Sequence, residues 1–172
     1  MKPESTTPQF QLKVIAKDGI PHALDKAERY RLLNDPEQAE SICRDILAVD
    51  ADNQDSLRIL VLALTDQFGG GAASAGTRAA RAFVRKLLDE YDRAYFTGLV
   101  LEREARAFLR RAGVVRSAAY DGFRQAMDWY EQAEALRPPG SVDALLRWNS
   151  CVRTIVAERL EPAPDDRDPP LE

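Results

Sequence analysis

The sequence predicts an all-α protein built from consecutive helix pairs, and three observations lead there. Ten prolines fall at 3, 8, 21, 36, 138, 139, 162, 164, 169 and 170, so Glu37 to Arg137 contains none. Proline breaks both helix interiors and central strands, so its exclusion from a hundred residues needs a second criterion to choose between them. That criterion is the scarcity of β-branched residues in strict alternation, which removes the strand option. Third, polar caps and glycine or proline stops recur at helical spacings.

Taken in order, helices are predicted near 10–17, 21–33, 36–49, 54–68, 77–91, 93–112, 117–136 and 141–160. The first lies between Pro8 and Pro21, and the second opens on Pro21. Asn34-Asp35-Pro36 supplies a cap followed by proline at the first helical position of the third. Asp50-Ala51-Asp52-Asn53 is a short polar turn ahead of the fourth. Gly69-Gly70-Gly71 stops that helix, and Thr77 is the expected cap of the next. Pro138-Pro139-Gly140 stops the seventh. Residues 1–9 and 161–172 are proline-rich, polar and aperiodic, and are expected to be disordered on either side of a helical domain over 10–160.

An internal repeat underlies these helices. Counting from Ile20, Ala27, Tyr30 and Ala39 stand at the small, aromatic and close-contact positions of a 34-residue unit that ends at Asn53. Cys43 and Ile46 continue the pattern. From Gln54, a second unit places Leu57, Leu60, Val61 and Leu64 on its first helix. Ala80, Val84 and Leu87 follow on its second, displaced by seven residues of extra loop. A third matches Leu101, Ala105 and Phe108, then Ala126, Tyr130, Ala133 and Pro138. The pattern W-x2-L-G-x2-Y, then A-x3-F-x2-A-x4-P, is that of the tetratricopeptide repeat, and residues 20 to 155 resemble that family. The departures are the loop at 69–76, a longer first helix in the third unit and an insert around Gly113–Ala119.

The resemblance implies a right-handed α-solenoid of antiparallel helix pairs, with units at about 20–53, 54–93 and 94–140 and a capping helix over 141–160 that carries ALLRWNSCVRTI. It also implies a concave groove that binds a protein segment or peptide. Carried over residue by residue, that groove is lined by Leu24, Glu28 and Arg31, then Arg58, Leu62 and Thr65. Glu102, Arg103, Arg106 and Arg110 follow, and the cap helix adds Leu145, Asn149 and Arg153. Arginines suit acidic or carboxylate-bearing partners, because the guanidinium fork matches a carboxylate. The plain alternative is a solvated, ion-paired face, since Glu28 precedes Arg31 by three residues and Glu102 precedes Arg106 by four. The subset of the family that clamps Glu-Glu-Val-Asp tails does so with two lysines, two asparagines and an arginine, and Leu24 and Glu28 stand where its first lysine and asparagine would be. Trp148 is read as a core residue of the terminal helix.

Composition limits the other readings. At 172 residues, with 45% hydrophobic and 30% charged side chains, the chain is one ordinary domain. Its net charge of −4 gives no general attraction to nucleic acid. No apolar run approaches the roughly 20 residues that span a bilayer, and MKPESTTPQFQLK lacks the apolar core of a secretory signal. Cys43 and Cys151 read as reduced core thiols of a cytoplasmic protein.

Gly71 and Gly76 stand at phosphate-loop spacing, but Thr77 follows where the loop needs lysine and no strand precedes, so the stretch reads as a linker. His22 is the sole histidine, and no Ser or Cys motif accompanies it. Asp165-Asp166 lies in the tail, and Asp89-Glu90 sits at a helix end. Neither enzymatic activity nor a cofactor or metal site is expected. Two alternatives to a peptide-binding scaffold stand beside it. One is a structural subunit that self-associates into a homo-oligomer. The other is an RNA- or DNA-binding helical repeat using residues 93–124, where seven arginines meet three acids and Phe108, Tyr120 and Phe123 interleave. The acidic remainder of the chain stands against the latter.

Overall fold

The computed structural model of the chain describes residues 10–69, 73–110 and 116–164. Seven α-helices lie among them: α1 (Ile20–Leu32), α2 (Pro36–Val49), α3 (Gln54–Asp66), α4 (Ala73–Val84), α5 (Glu90–Leu109), α6 (Arg116–Leu136) and α7 (Asp143–Ala157). The described residues are built of helices, and no helix among them is long and apolar enough to cross a membrane.

The caps follow the sequence. The Asp35 carboxylate accepts from Gln38 N–H at 3.2 Å to open α2, and Asn53 Oδ1 accepts from Ser56 N–H at 2.9 Å to open α3. Asn34 and Gly140 take the left-handed backbone, at φ 62° and 83°. After α7, Arg159 turns left-handed and Leu160 N–H reaches the Ile155 carbonyl at 3.0 Å. This turn folds Leu160 back into the core.

Several boundaries differ from the sequence reading. Residues 10–16 form no helix, and only a 3-10 turn at Lys17–Gly19 precedes α1. Phe10, Leu12 and Val14 stay largely exposed, and so short a helix with nothing to pack against cannot offset its nucleation cost. Helix α4 begins at Ala73, so Gly76 is helical and Thr77 is a buried interior residue rather than a cap. It ends at Val84 rather than 91. Leu87 N–H bonds the Val84 carbonyl in a tightened turn, and the freed carbonyls of Leu87 and Leu88 accept from the Arg93 guanidinium at 2.8 and 2.7 Å. Asp89 then caps α5 by accepting from Asp92 N–H, so Asp89-Glu90 opens a helix instead of closing one. Helix α6 includes Arg116–Ala119 of the expected insert. Gly71 of the glycine stretch and the tails over 1–9 and 165–172 lie outside the described residues.

Each helix packs against its neighbours in sequence, and α1, α3, α5 and α7 also touch in succession. The core has two clusters. One joins α1 to α5 around Leu57, Leu60, Val61, Leu99 and Val100. The other joins α5, α6 and α7 around Phe123, Met127, Tyr130 and Cys151. Helix α5 serves both, giving Phe96, Leu99 and Val100 to the first and Ala94 and Ala105 to the second. Its contact with α6 is close because Gly98 lies against the Tyr130 ring. A Cβ there would stand 2.9 Å from the ring and 3.1 Å from the Ala126 carbonyl oxygen.

Candidate functional site: two charged concavities

Helices α1, α3 and α5 together line two neighbouring concavities. Their N-terminal halves line one of about 460 Å³, with Leu24, Asp25 and Glu28 from α1, Asp55, Arg58, Ile59 and Leu62 from α3, and Phe96 from α5. Their C-terminal ends line the other, of about 510 Å³. Arg31 comes from α1, Thr65 and Asp66 from α3, Glu102, Arg103 and Arg106 from α5, and Arg110 from just beyond it. Helix α7 contributes Arg147.

The second compartment is basic, with five arginines facing two carboxylates. Asp66 holds Arg31 at 3.3 Å and also pairs with Arg103, tying α1, α3 and α5 at one point. Glu102 is fully buried. Its Oε2 accepts from the Tyr130 hydroxyl at 2.7 Å, and its Oε1 accepts from Arg106 Nε at 2.9 Å, with Arg147 at 3.6 Å. Burial, and then the adjoining Glu102 carboxylate, push the Tyr130 phenol well above its usual range. Burial acts to lower the Arg147 guanidinium, but Glu102 and the Tyr95 hydroxyl outweigh it and hold that group above its ordinary value. Arg106 also lies over the Phe123 ring at 5.6 Å and reaches Ser150 Oγ at 3.0 Å. Two groups in this wall are left over. Arg110 has no carboxylate partner among the described residues, and Arg31 Nε is buried without an acceptor.

The first compartment is apolar on its floor and acidic at its rim. Arg58 bridges Asp55 and Asp92 at 2.6 Å each. Burial opposes its charge, yet these two bonds outweigh that and raise its pKa. Asp25 and Glu28 are exposed and carry no ion pair among the described residues.

The expected groove residues are therefore distributed as follows. Glu28, Arg58 and Leu62 line the acidic compartment, and Arg31, Arg103, Arg106 and Arg110 the basic one. Glu102 belongs beneath the surface as a buried anchor. Thr65 is likewise almost covered, its hydroxyl donating to the Leu62 carbonyl at 2.9 Å. Asn149, Arg153 and Leu145 line neither compartment. Asp66, Phe96 and the burial of Glu102 were missed. Asp66 finds its arginines 35 and 37 residues away, so no local spacing reveals it. The repeat length itself is the signal, because Arg58 and Asp92 are 34 apart.

Trp148, expected in the core, is only partly buried against the second cluster, with its indole N–H donating to Glu131 at 3.1 Å. Cys43 and Cys151 are free and buried, in different clusters. Phe123 is fully covered, which removes it as a base-stacking platform. Among the described residues no group of three His, Cys, Asp or Glu side chains could hold a metal ion. Comparison of the chain with protein-family models, with curated proteins and with solved structures finds no match, so its site is read from its own geometry.

Proposed function

We propose that the chain is a non-catalytic interaction module of the tetratricopeptide type, a right-handed solenoid of antiparallel helix pairs whose concave face binds a segment of another protein. One observation carries this reading. On α1, α3 and α5 alike, the acidic compartment draws on residues seven positions before those of the basic one: Leu24 and Arg31, Ile59 and Asp66, Phe96 and Arg103. Such agreement fits three helices laid side by side in one direction, with α2 and α4 running back behind them. Two bonds that α3 makes to the chain one unit further on support a repeating unit. Arg58 with Asp92 and Gln54 with Leu88 N–H are each 34 residues apart. The resulting surface is concave, charged and open, a shape suited to an extended chain.

The test is selection from a random peptide library displayed on phage, followed by titration of the selected peptides. Saturable binding that weakens about tenfold or more in the Arg103→Gln, Arg110→Gln double variant supports the groove, since a charge-assisted hydrogen bond contributes about 1.5–3 kcal/mol. Undiminished binding to that variant would refute it. Arg106 is a poor choice for charge reversal, because its removal strands the buried Glu102.

A self-associating subunit is the second reading, favoured by Leu146 and Val156 of α7, which stand 55% and 69% exposed. Sedimentation over a hundredfold concentration range decides it, a constant monomer mass excluding a homo-oligomer.

A further inference from the structure

We propose that the segment held in this groove is bipolar: a carboxylate side chain seated in the arginine compartment and, about three residues along, an apolar residue with a neighbouring cation seated in the acidic one. This rests on the groove reading above and narrows the partner to one chemistry and one spacing.

The argument starts from which charges are already satisfied. In the basic wall, Asp66 neutralises Arg31 and Arg103, and Glu102 is shared by Arg106 and Arg147. Among the described residues what remains is the Arg110 guanidinium, since the Arg31 Nε–H, though also without an acceptor, is buried. That inventory matches one monoanion. A dianion would have to pull guanidiniums from carboxylates they already hold, one of which is buried. A carboxylate, by contrast, accepts from the exposed Arg110 without disturbing the existing pairs.

At the other end the balance is reversed. Arg58 is consumed by Asp55 and Asp92, while among the described residues Asp25 and Glu28 carry no ion pair, over a floor of Leu24, Ile59, Leu62 and Phe96. An apolar side chain gains by covering that floor, and a lysine or arginine beside it would meet both carboxylates. The offset of seven helical residues between compartments, on three helices, corresponds to roughly 10 Å. An extended chain covers that distance in about three residues.

The probes are fluorescein-labelled peptides titrated by anisotropy: Lys-Leu-Ala-Ala-Glu, its reverse Glu-Ala-Ala-Leu-Lys, and versions with no alanine or with six between the apolar and acidic residues. Glutamine-for-glutamate and norleucine-for-lysine forms isolate each charge, and the phage-selected peptides serve as the reference. One direction at the matched spacing should bind at least about tenfold tighter than the collapsed or stretched versions. Arg110→Gln should abolish the preference for glutamate over glutamine and leave the preference for lysine intact. Glu28→Gln should do the opposite. Both positions are exposed, and unchanged thermal midpoints would show the variants folded.

If the selected peptides bind in the groove but spacing has no effect, or both variants weaken every peptide equally, the bipolar assignment is overturned and the groove reading stands. If neither the selected nor the designed peptides bind saturably, both fall.

Discussion

Glu102 shows how much depends on a single side chain. Its carboxylate is fully buried and held by the Tyr130 hydroxyl and two guanidiniums. Tyr130→Phe deletes one of those donors and should lower unfolding free energy by about 2 kcal/mol. Arg106→Ala removes a charge partner and should cost about 3 kcal/mol or more. Urea denaturation monitored by circular dichroism measures both, and an effect below a few tenths would contradict the account. The thiols give a pH dependence. Burial raises Cys43 from 9.0 to about 11. Burial, then the nearby Glu102 charge, raises Cys151 from 9.0 to about 12. From pH 9 upward the unfolded chain therefore loses thiol protons that the folded chain retains, and stability falls as pH rises. Urea midpoints should fall between pH 8 and pH 10, and less steeply in Cys151→Ala. At this scale the sequence was only partly legible. The spacing of Glu102 and Arg106 is as plain in the sequence as in the fold, but it belongs equally to an exposed ion pair. Only the arrival of Tyr130, 28 residues on, shows that the carboxylate is buried.

At the level of helices, caps and close approaches set the energetics. Asp35→Ala and Asn53→Ala should each cost about 1 kcal/mol, because each strips an acceptor from an otherwise orphaned N–H. Gly98→Ala drives a methyl group into the Tyr130 ring and the Ala126 carbonyl, and should cost about 1–3 kcal/mol through overpacking. Gly19→Ala meets nothing within 4 Å and serves as the control. A shift in thermal midpoint for Gly19→Ala as large as that for Gly98→Ala would refute the crossing as the cause. Helices α2 and α3 were readable to within two residues because polar caps mark their starts. Helix α4 was not, since the glycine-rich stretch that reads as a loop becomes helical from Ala73, with Gly76 against Phe68. Its early stop was equally hidden, because the Arg93 side chain that takes the Leu87 and Leu88 carbonyls comes from the next helix.

For the molecule as a whole, the run of helices and their order were legible from proline exclusion and the recurrence of small residues. The division of the charged face into two compartments was not, because it depends on which charges are already paired across helices. The two core clusters meet in α5, and Tyr95 packs against both. Neither can loosen without exposing a face of the same helix, so urea unfolding should be a single transition, with fluorescence and circular dichroism coinciding.

The shared helix also means that the segment between α4 and α5 is a seam. A chain divided there gives one fragment with a core missing a wall, and another whose first helix presents Phe96, Leu99 and Val100 to water. Each piece carries the cure for the other's exposed surface. Expressed separately, they should be poorly behaved alone and reassemble when mixed, which makes the scaffold a ready basis for a two-part sensor.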